Sequence, residues 1–254
     1  MLEIMQKNVG KVTLNYSPNF DLKKRHFKNI KYLIFHYTGM KSDKSAINKL
    51  TNANSKVSCH YYIDLKGNII RLVPDLYVAW HAGKSFWKTD KSLNKNSIGI
   101  EISNSGHQYG YKNFNDKQIK SLLKISKYLI KKYKIKKNNI LGHSDVAPTR
   151  KKDPGEKFPW DYLSKNKIGI WHKINESLLK KLRNKKISKK QESEFFIFLS
   201  KIGYFNNTKD ILKKNMLIKS FQRHFRQNLI NNIIDQECLI IAKNLTKSIL
   251  NKFS

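Results

Sequence analysis

Residues 31–36, KYLIFH, put Tyr32, Ile34 and His36 on one face of an extended chain and Leu33 and Phe35 on the other. Both faces are apolar, which is the pattern of a central strand covered on two sides. Such a strand forces layers above and below a sheet, so the run selects an α/β architecture. Residues 98–102, IGIEI, repeat the apolar character with a glutamate inside it. A covering helix is legible at residues 116–133, where Ile119, Leu122, Leu123, Ser126, Leu129, Ile130 and Tyr133 recur at helical spacing. A shorter helix follows residue 36, with Ser42 or Asp43 as its N-cap and Ala46, Ile47 and Leu50 facing inward. Residues 57–65 and 69–73 read as a hairpin around the turn Lys66-Gly67-Asn68. Residues 1–24 form a polar arm, with 12–16 as an edge strand.

The chemistry concentrates in residues 141–154, LGHSDVAPTRKKDP. No helical apolar period runs through it, and Pro148 and Pro154 forbid a continuous helix, so it reads as a strand end opening into a pinned loop. Loops carry most functional groups, and this one holds His143, Lys151 and Asp153 close together. His36 ends one apolar run and Glu101 lies inside another, where an unpaired carboxylate is costly. Among the remaining histidines, His60 and His81 each follow a strand, whereas His26, His107, His172 and His224 show no spacing suited to a metal. The loop 84–96 carries Phe86 and Trp87, which either cover a cleft or fold back on the core.

Five segments in order, HYTG (36–39), SCHYYID (58–64), WHAG (80–83), SIGIEIS (97–103) and GHSDVAPTRKKDPG (142–155), resemble the zinc-dependent N-acetylmuramoyl-L-alanine amidases of the type-2 amidase family, related to peptidoglycan-recognition proteins. The resemblance spans residues 25–165 and implies a central mixed sheet flanked by helices. It implies one catalytic Zn2+ held by His36, His143 and Asp153, an open site of the kind that activates water for amide hydrolysis. It further implies Glu101 as the proton-transfer group and Lys151 as the cation beside the developing oxyanion. Tyr37, Trp80 and His81 are candidate substrate contacts, with packing in the core the favoured reading of Tyr37, and His60 is a core residue or a support behind the ligands. The substrate is then peptidoglycan or its muropeptides, cut between N-acetylmuramic acid or its 1,6-anhydro form and L-alanine. The alternative is a catalytically inactive peptidoglycan-binding protein, although all three metal ligands are present.

Composition bounds the rest. The net charge is +33, but only six of the 51 basic residues are arginine. Lysine spread over solvated faces lacks the bidentate geometry that nucleic-acid readers exploit, so no specific nucleic-acid partner is expected. A magnesium nuclease would also want several carboxylates, and no Glu-x-Lys pair surrounds Glu101. No run of about 18 apolar residues suggests a transmembrane helix. The first residues show neither an export signal nor a lipoprotein cysteine, which points to the cytoplasm, or to the cell envelope if the start is incomplete. Cys59 and Cys238 read as small buried hydrophobes, not a disulfide framework.

Past a catalytic unit at 1–165, residues 166–190 read as a boundary helix and linker, and 191–254 as a small three-helix unit. Its helices are expected at 192–202, ending at Gly203, at 209–225, and at 236–250 behind Asp235. IGYFNN and IKSFQRHFRQNLINNIIDQECL resemble the peptidoglycan-binding modules appended to such amidases, with Asn231-Asn232 at the turn where a glycine is usual. Asparagine tolerates the left-handed backbone that this turn needs.

Overall fold

The computed structural model describes residues 2–205 and 210–250. In chain order its elements are α1 (Leu2–Val9), β1 (Val12–Leu14), β2 (Phe20–Asp21), β3 (Tyr32–Tyr37), α2 (Asp43–Thr51), β4 (Tyr61–Ile63), β5 (Ile69–Arg71), β6 (Val78–Ala79), β7 (Phe86–Trp87), β8 (Asp90–Lys91), β9 (Ser97–Ile102), α3 (Asp116–Tyr133), β10 (Ile140–Gly142), α4 (His143–Val146), α5 (Trp160–Lys165), α6 (Glu176–Leu182), α7 (Lys189–Ile202), α8 (Ile211–Phe225) and α9 (Gln236–Leu250). The central sheet has the order β1-β5-β4-β9-β3-β10. Strands β4, β9, β3 and β10 run parallel, β5 is antiparallel to β4, and β1 lies parallel to β5 on the outer edge. This is the mixed, helix-flanked sheet expected from the sequence, with residues 12–14 at an edge.

Side-chain alternation along β3 divides the interior. Leu33 and Phe35 enter one core with Ile98, Ile100, Leu122 and Leu129. Tyr32 and Ile34 enter another, shared with Phe195, Leu199, Phe221 and Leu245 from the C-terminal helices. His36 follows Ile34 on that second face and pairs in register with Glu101. Capping residues place the helices. Ser42 and Ser45 form a capping box on α2, Asn115 and Gln118 do so on α3, and Ser188 and Gln191 on α7. Asp235 accepts the Cys238 N–H at 2.9 Å and so starts α9. Gln222 Oε1 accepts the N–H groups of Asn231 and Asn232 and holds their turn, with Asn232 in the left-handed region at φ 56°.

Some local expectations differ. Residues 2–9 are helical, not an arm: Met5 and Val9, one turn apart, are buried in the first core, but two apolar positions are too few to reveal a period. Residues 143–146 make one helical turn, because the Asp145 carboxylate accepts the Gly142 N–H at 2.7 Å and caps it before Pro148 ends it. The loop after residue 83 folds back on the core. Trp87 is buried edge-on to Tyr204 at 4.8 Å between centroids, and Phe86 stacks on Phe205 at 4.9 Å. Helix α8 begins at Ile211 behind Asp210, while Lys209, its expected start, and Asn206 and Asn207 of IGYFNN lie outside the described residues.

Cys59 and Cys238 are buried and free. Each of the six arginines is engaged by the chain's own carbonyls or carboxylates: Arg25 at Ser97, Arg71 at Asp75, Arg150 at Lys84, Arg183 at Glu237, Arg223 at Glu156 and Arg226 at Asp235. The excess positive surface is therefore lysine. Among the described residues no helix is long and apolar enough to cross a membrane.

Candidate active site

Parallel strands end together, so β3, β9 and β10 deliver their functional residues to one place. His36 sits near the end of β3, Glu101 lies beside it on β9, and His143 follows β10 directly. Asp153 returns on the loop beyond α4, whose closure is fixed by the Ser144 N–H donating to the Asp153 carbonyl at 2.8 Å.

His36 Nδ1, His143 Nδ1 and Asp153 Oδ2 converge, separated by 3.0 Å between the histidines, 3.1 Å from His36 to Asp153 and 3.0 Å from His143 to Asp153. All three residues are buried. The other ring nitrogens decide where the protons sit. His143 Nε2 faces the Ala82 carbonyl at 3.1 Å, and a carbonyl only accepts, so Nε2 carries the proton and Nδ1 is a bare lone pair. For His36 the logic runs through two residues. The Ser97 hydroxyl donates to the Leu93 carbonyl at 2.6 Å, leaving its oxygen to accept from His81 Nε2 at 3.1 Å. His81 Nδ1 then accepts from His36 Nε2 at 3.0 Å, and His36 Nδ1 is also bare. With both rings neutral, two lone pairs and a carboxylate oxygen meet with no proton between them, an arrangement that a proton or a metal cation relieves. Ligands of a tetrahedral zinc stand about 3.3 Å apart, close to these separations. The donor set fits the metal.

Burial, and then His143, pushes the His36 pKa down to about 4, so the ring is neutral. Burial pushes the Asp153 carboxyl up, but His143 and His36 outweigh it and hold Asp153 well below the usual carboxylate range. Glu101 goes the other way. Burial and the neighbouring Asp153 raise it well above the ordinary value, against the pull of Lys151. Its Oε1 stands 4.0 Å from His36 Nδ1, and its Oε2 is buried without a hydrogen-bond partner.

These groups open on a cavity of about 480 Å³ lined by Tyr37, Trp80, His81, Glu101, Lys151 and Asp153 among others. Of the residues singled out in the sequence, Tyr37, Trp80, His81, Glu101, His143, Lys151 and Asp153 line it, and His36, which does not, meets His143, Asp153 and His81.

A family model described as N-acetylmuramoyl-L-alanine amidase (Amidase_2) matches residues 26–156. The chain is 34% identical over 236 residues to the N-acetylmuramoyl-L-alanine amidase AmiD of Escherichia coli, covering 86% of this chain and 83% of that protein. It belongs to the type-2 amidase family. A 1,6-anhydro-N-acetylmuramyl-L-alanine amidase, AmpD of Haemophilus influenzae, is 32% identical over 167 residues, covering 58% of this chain and 88% of its own. Among solved structures, Escherichia coli AmiD in complex with anhydro-N-acetylmuramic acid-L-Ala-D-γ-Glu-L-Lys superposes with a TM-score of 0.77 at 32% identity, covering 90% of this chain and 93% of that one. AmpDh3 of Pseudomonas aeruginosa gives 0.77 at 27% identity, covering 94% and 99%.

In this amidase the residues flanking His36, His143 and Asp153 hold distinct places. His81 lines the cavity, but both its ring nitrogens are engaged, by His36 and Ser97. Gly99 makes room for it, since a Cβ there would stand 2.4 Å from the His81 ring. The signal was a glycine inside a strand, which marks close approach. His60 is a core residue: its Nδ1 accepts the Gly99 N–H at 3.0 Å. Trp80 donates from Nε1 to Asp21 at 2.7 Å. Tyr37 Oη meets His107 Nδ1 at 2.9 Å, and His107 Nε2 meets Glu156 at 3.0 Å. No sequence signal marks that His107 bridge, because the loop returning His107 to β3 carries no periodic pattern. Arg150 was also silent; it ties the segment after His81 to the loop that carries Asp153 through the carbonyls of Ala82 at 2.9 Å and Lys84 at 2.7 Å.

Proposed function

We propose that this chain hydrolyses the amide between N-acetylmuramic acid, or its 1,6-anhydro form, and L-alanine in peptidoglycan or muropeptides, using one Zn2+ held by His36, His143 and Asp153. The observation that carries this reading is the convergence of two histidine nitrogens and a carboxylate oxygen beside Glu101, whose Oε2 has no hydrogen-bond partner. Zn2+ held there would supply Lewis acidity that lowers the pKa of a water and polarises the scissile carbonyl. Glu101 takes the proton from the attacking water and hands it to the alanine nitrogen as the amide bond breaks. Burial and Asp153 make this carboxyl hold a proton more readily than an exposed glutamate in the metal-free protein, which suits a group that must both accept and return one. The Lys151 ammonium, on the cavity wall, stabilises negative charge building on the carbonyl oxygen. Tyr37 and Trp80 line the space the sugar and peptide would occupy.

The ligand in the AmiD complex and the name of AmpD support the anhydro-muropeptide as the probe of choice. Purified protein should release free peptide from anhydro-N-acetylmuramic acid-L-Ala-D-γ-Glu-L-Lys, with activity lost on chelation and restored by Zn2+. A folded, zinc-loaded protein that leaves both this compound and polymeric peptidoglycan intact would replace the enzyme reading with that of an inactive peptidoglycan-binding protein. Relative rates on the two substrates then separate recycling of soluble fragments from turnover of the wall.

A further inference from the structure

Two of the three proposed metal ligands sit on one segment, residues 142–155, and the C-terminal helices grip that segment from outside. The Asp145 carboxylate, two residues past His143, is buried and receives the Tyr204 hydroxyl on Oδ1 at 2.6 Å and His224 Nδ1 on Oδ2 at 2.7 Å. The same Oδ2 caps the Gly142 N–H, so these bonds fix the turn that aims His143. Ser220 donates to the Ser144 carbonyl at 2.7 Å, and Ser144 in turn donates to the carbonyl of Asp153. Just beyond Asp153, Gln227 Nε2 donates to the carbonyls of Glu156 and Phe158, both at 2.7 Å. The His224 ring is sandwiched, stacked on Trp160 at 3.7 Å and on Phe225 at 3.8 Å between centroids.

A tethered binding module would meet its neighbour through an exposed, polar, exchangeable surface. Here the contacts are buried, charge-assisted and aimed at the metal segment, and the apolar residues around them form one core with β3 and β10. We propose that the C-terminal helical unit is a positioning element of the metal site, with Tyr204, Ser220 and His224 holding His143 and Asp153 in place through Asp145 and Ser144. The inference rests on the metal-site reading above. Those residues touch neither substrate nor metal; they set where two ligands stand. It also explains why α8 carries polar residues at Ser220 and His224 along a face that is otherwise apolar.

The test is the Zn2+ affinity of the full chain, measured by competition with a chromophoric chelator, beside its melting temperature. Tyr204→Phe removes only a hydroxyl and Ser220→Ala only a donor, so both variants should fold. Each should weaken Zn2+ binding about tenfold, and the pair further, since partners behind metal ligands are worth about 10–100-fold in affinity. His224→Leu should do the same, with His224→Asn, which restores a donor near Nδ1, recovering most of the loss. Leu245→Ala, in the same core but away from the segment, should lower the melting temperature while leaving Zn2+ affinity unchanged. Unchanged affinity in Tyr204→Phe/Ser220→Ala, or an equal loss in Leu245→Ala, would overturn the positioning role alone. A parent protein that fails to bind Zn2+ would overturn the metal reading and this inference with it.

Discussion

Two of the buried polar clusters in this molecule are built on opposite principles. Around Asp75 both carboxylate oxygens are answered: they accept from Tyr61, Tyr133 and Lys132, the last at 2.7 Å, with Arg71 at 3.5 Å. Burial pushes the Asp75 carboxyl up, but Lys132 and Arg71 outweigh it and hold it at about 2. At the other cluster, His36, His143 and Asp153 present lone pairs to one another and Glu101 Oε2 has no partner. Unpaired buried polar groups are expensive and rare in folded proteins. A satisfied cluster is scaffold, whereas an unsatisfied one at the end of parallel strands is a site waiting for its ligand.

The sharpest way to break that contrast is Glu101→Gln. Hydrolysis should fall about 10²–10⁴-fold because the proton-transfer group is gone, while Zn2+ still binds. The metal-free protein should meanwhile become more stable by about 1 kcal/mol at neutral pH, since a neutral amide replaces a carboxyl whose ionisation the site resists. Because the Glu101 pKa is raised, ionisation costs stability as pH rises above the usual range of about 4, so the gain should vanish at lower pH. Melting curves of metal-free parent and variant across pH decide it, and a destabilised variant would contradict the contrast.

Asp75→Asn should behave in reverse. Removing one partner of a buried ionic network costs about 3 kcal/mol, with turnover per folded molecule unchanged. The Asp75 pKa is depressed, so its contribution is present above about pH 4 and is lost as pH falls through about 2. Denaturant unfolding of both proteins should show the gap closing in that window.

A smaller effect is expected at His81. His81→Leu should weaken Zn2+ binding about 10–100-fold by releasing the His36 tautomer, with KM of the zinc-saturated enzyme unchanged. A raised KM at full zinc occupancy would instead make His81 a substrate contact. Least of all, Tyr37→Phe removes the bond to His107 and should cost about 1 kcal/mol, seen as a change in KM with little change in kcat.

Much of this fold is legible in the sequence. The two-sided apolar run 31–36 required a covered central strand, and β3 is one. His36, Glu101, His143 and Asp153 were legible because each stands in or beside a short, patterned strand or a motif. Helix α1 escaped because its two buried residues make no period. The turn at 143–146 escaped because its cap is a side chain one turn ahead, Asp145, whose other partners come from residues 204 and 224. Long-range polar contacts of that kind, like Tyr37 with His107, leave no local trace in a sequence. The split of 1–165 from 191–254 was read from composition, which cannot show that Tyr32 and Ile34 share a core with Phe221 and Leu245.

The most direct test of the central claim is titration of Zn2+ into the metal-free protein, followed by calorimetry, with Asp153→Ala and Asp75→Asn alongside. The account predicts one ion per chain in the parent and in Asp75→Asn, and no stoichiometric binding in Asp153→Ala. Absence of binding in the parent, or its survival in Asp153→Ala, would contradict it.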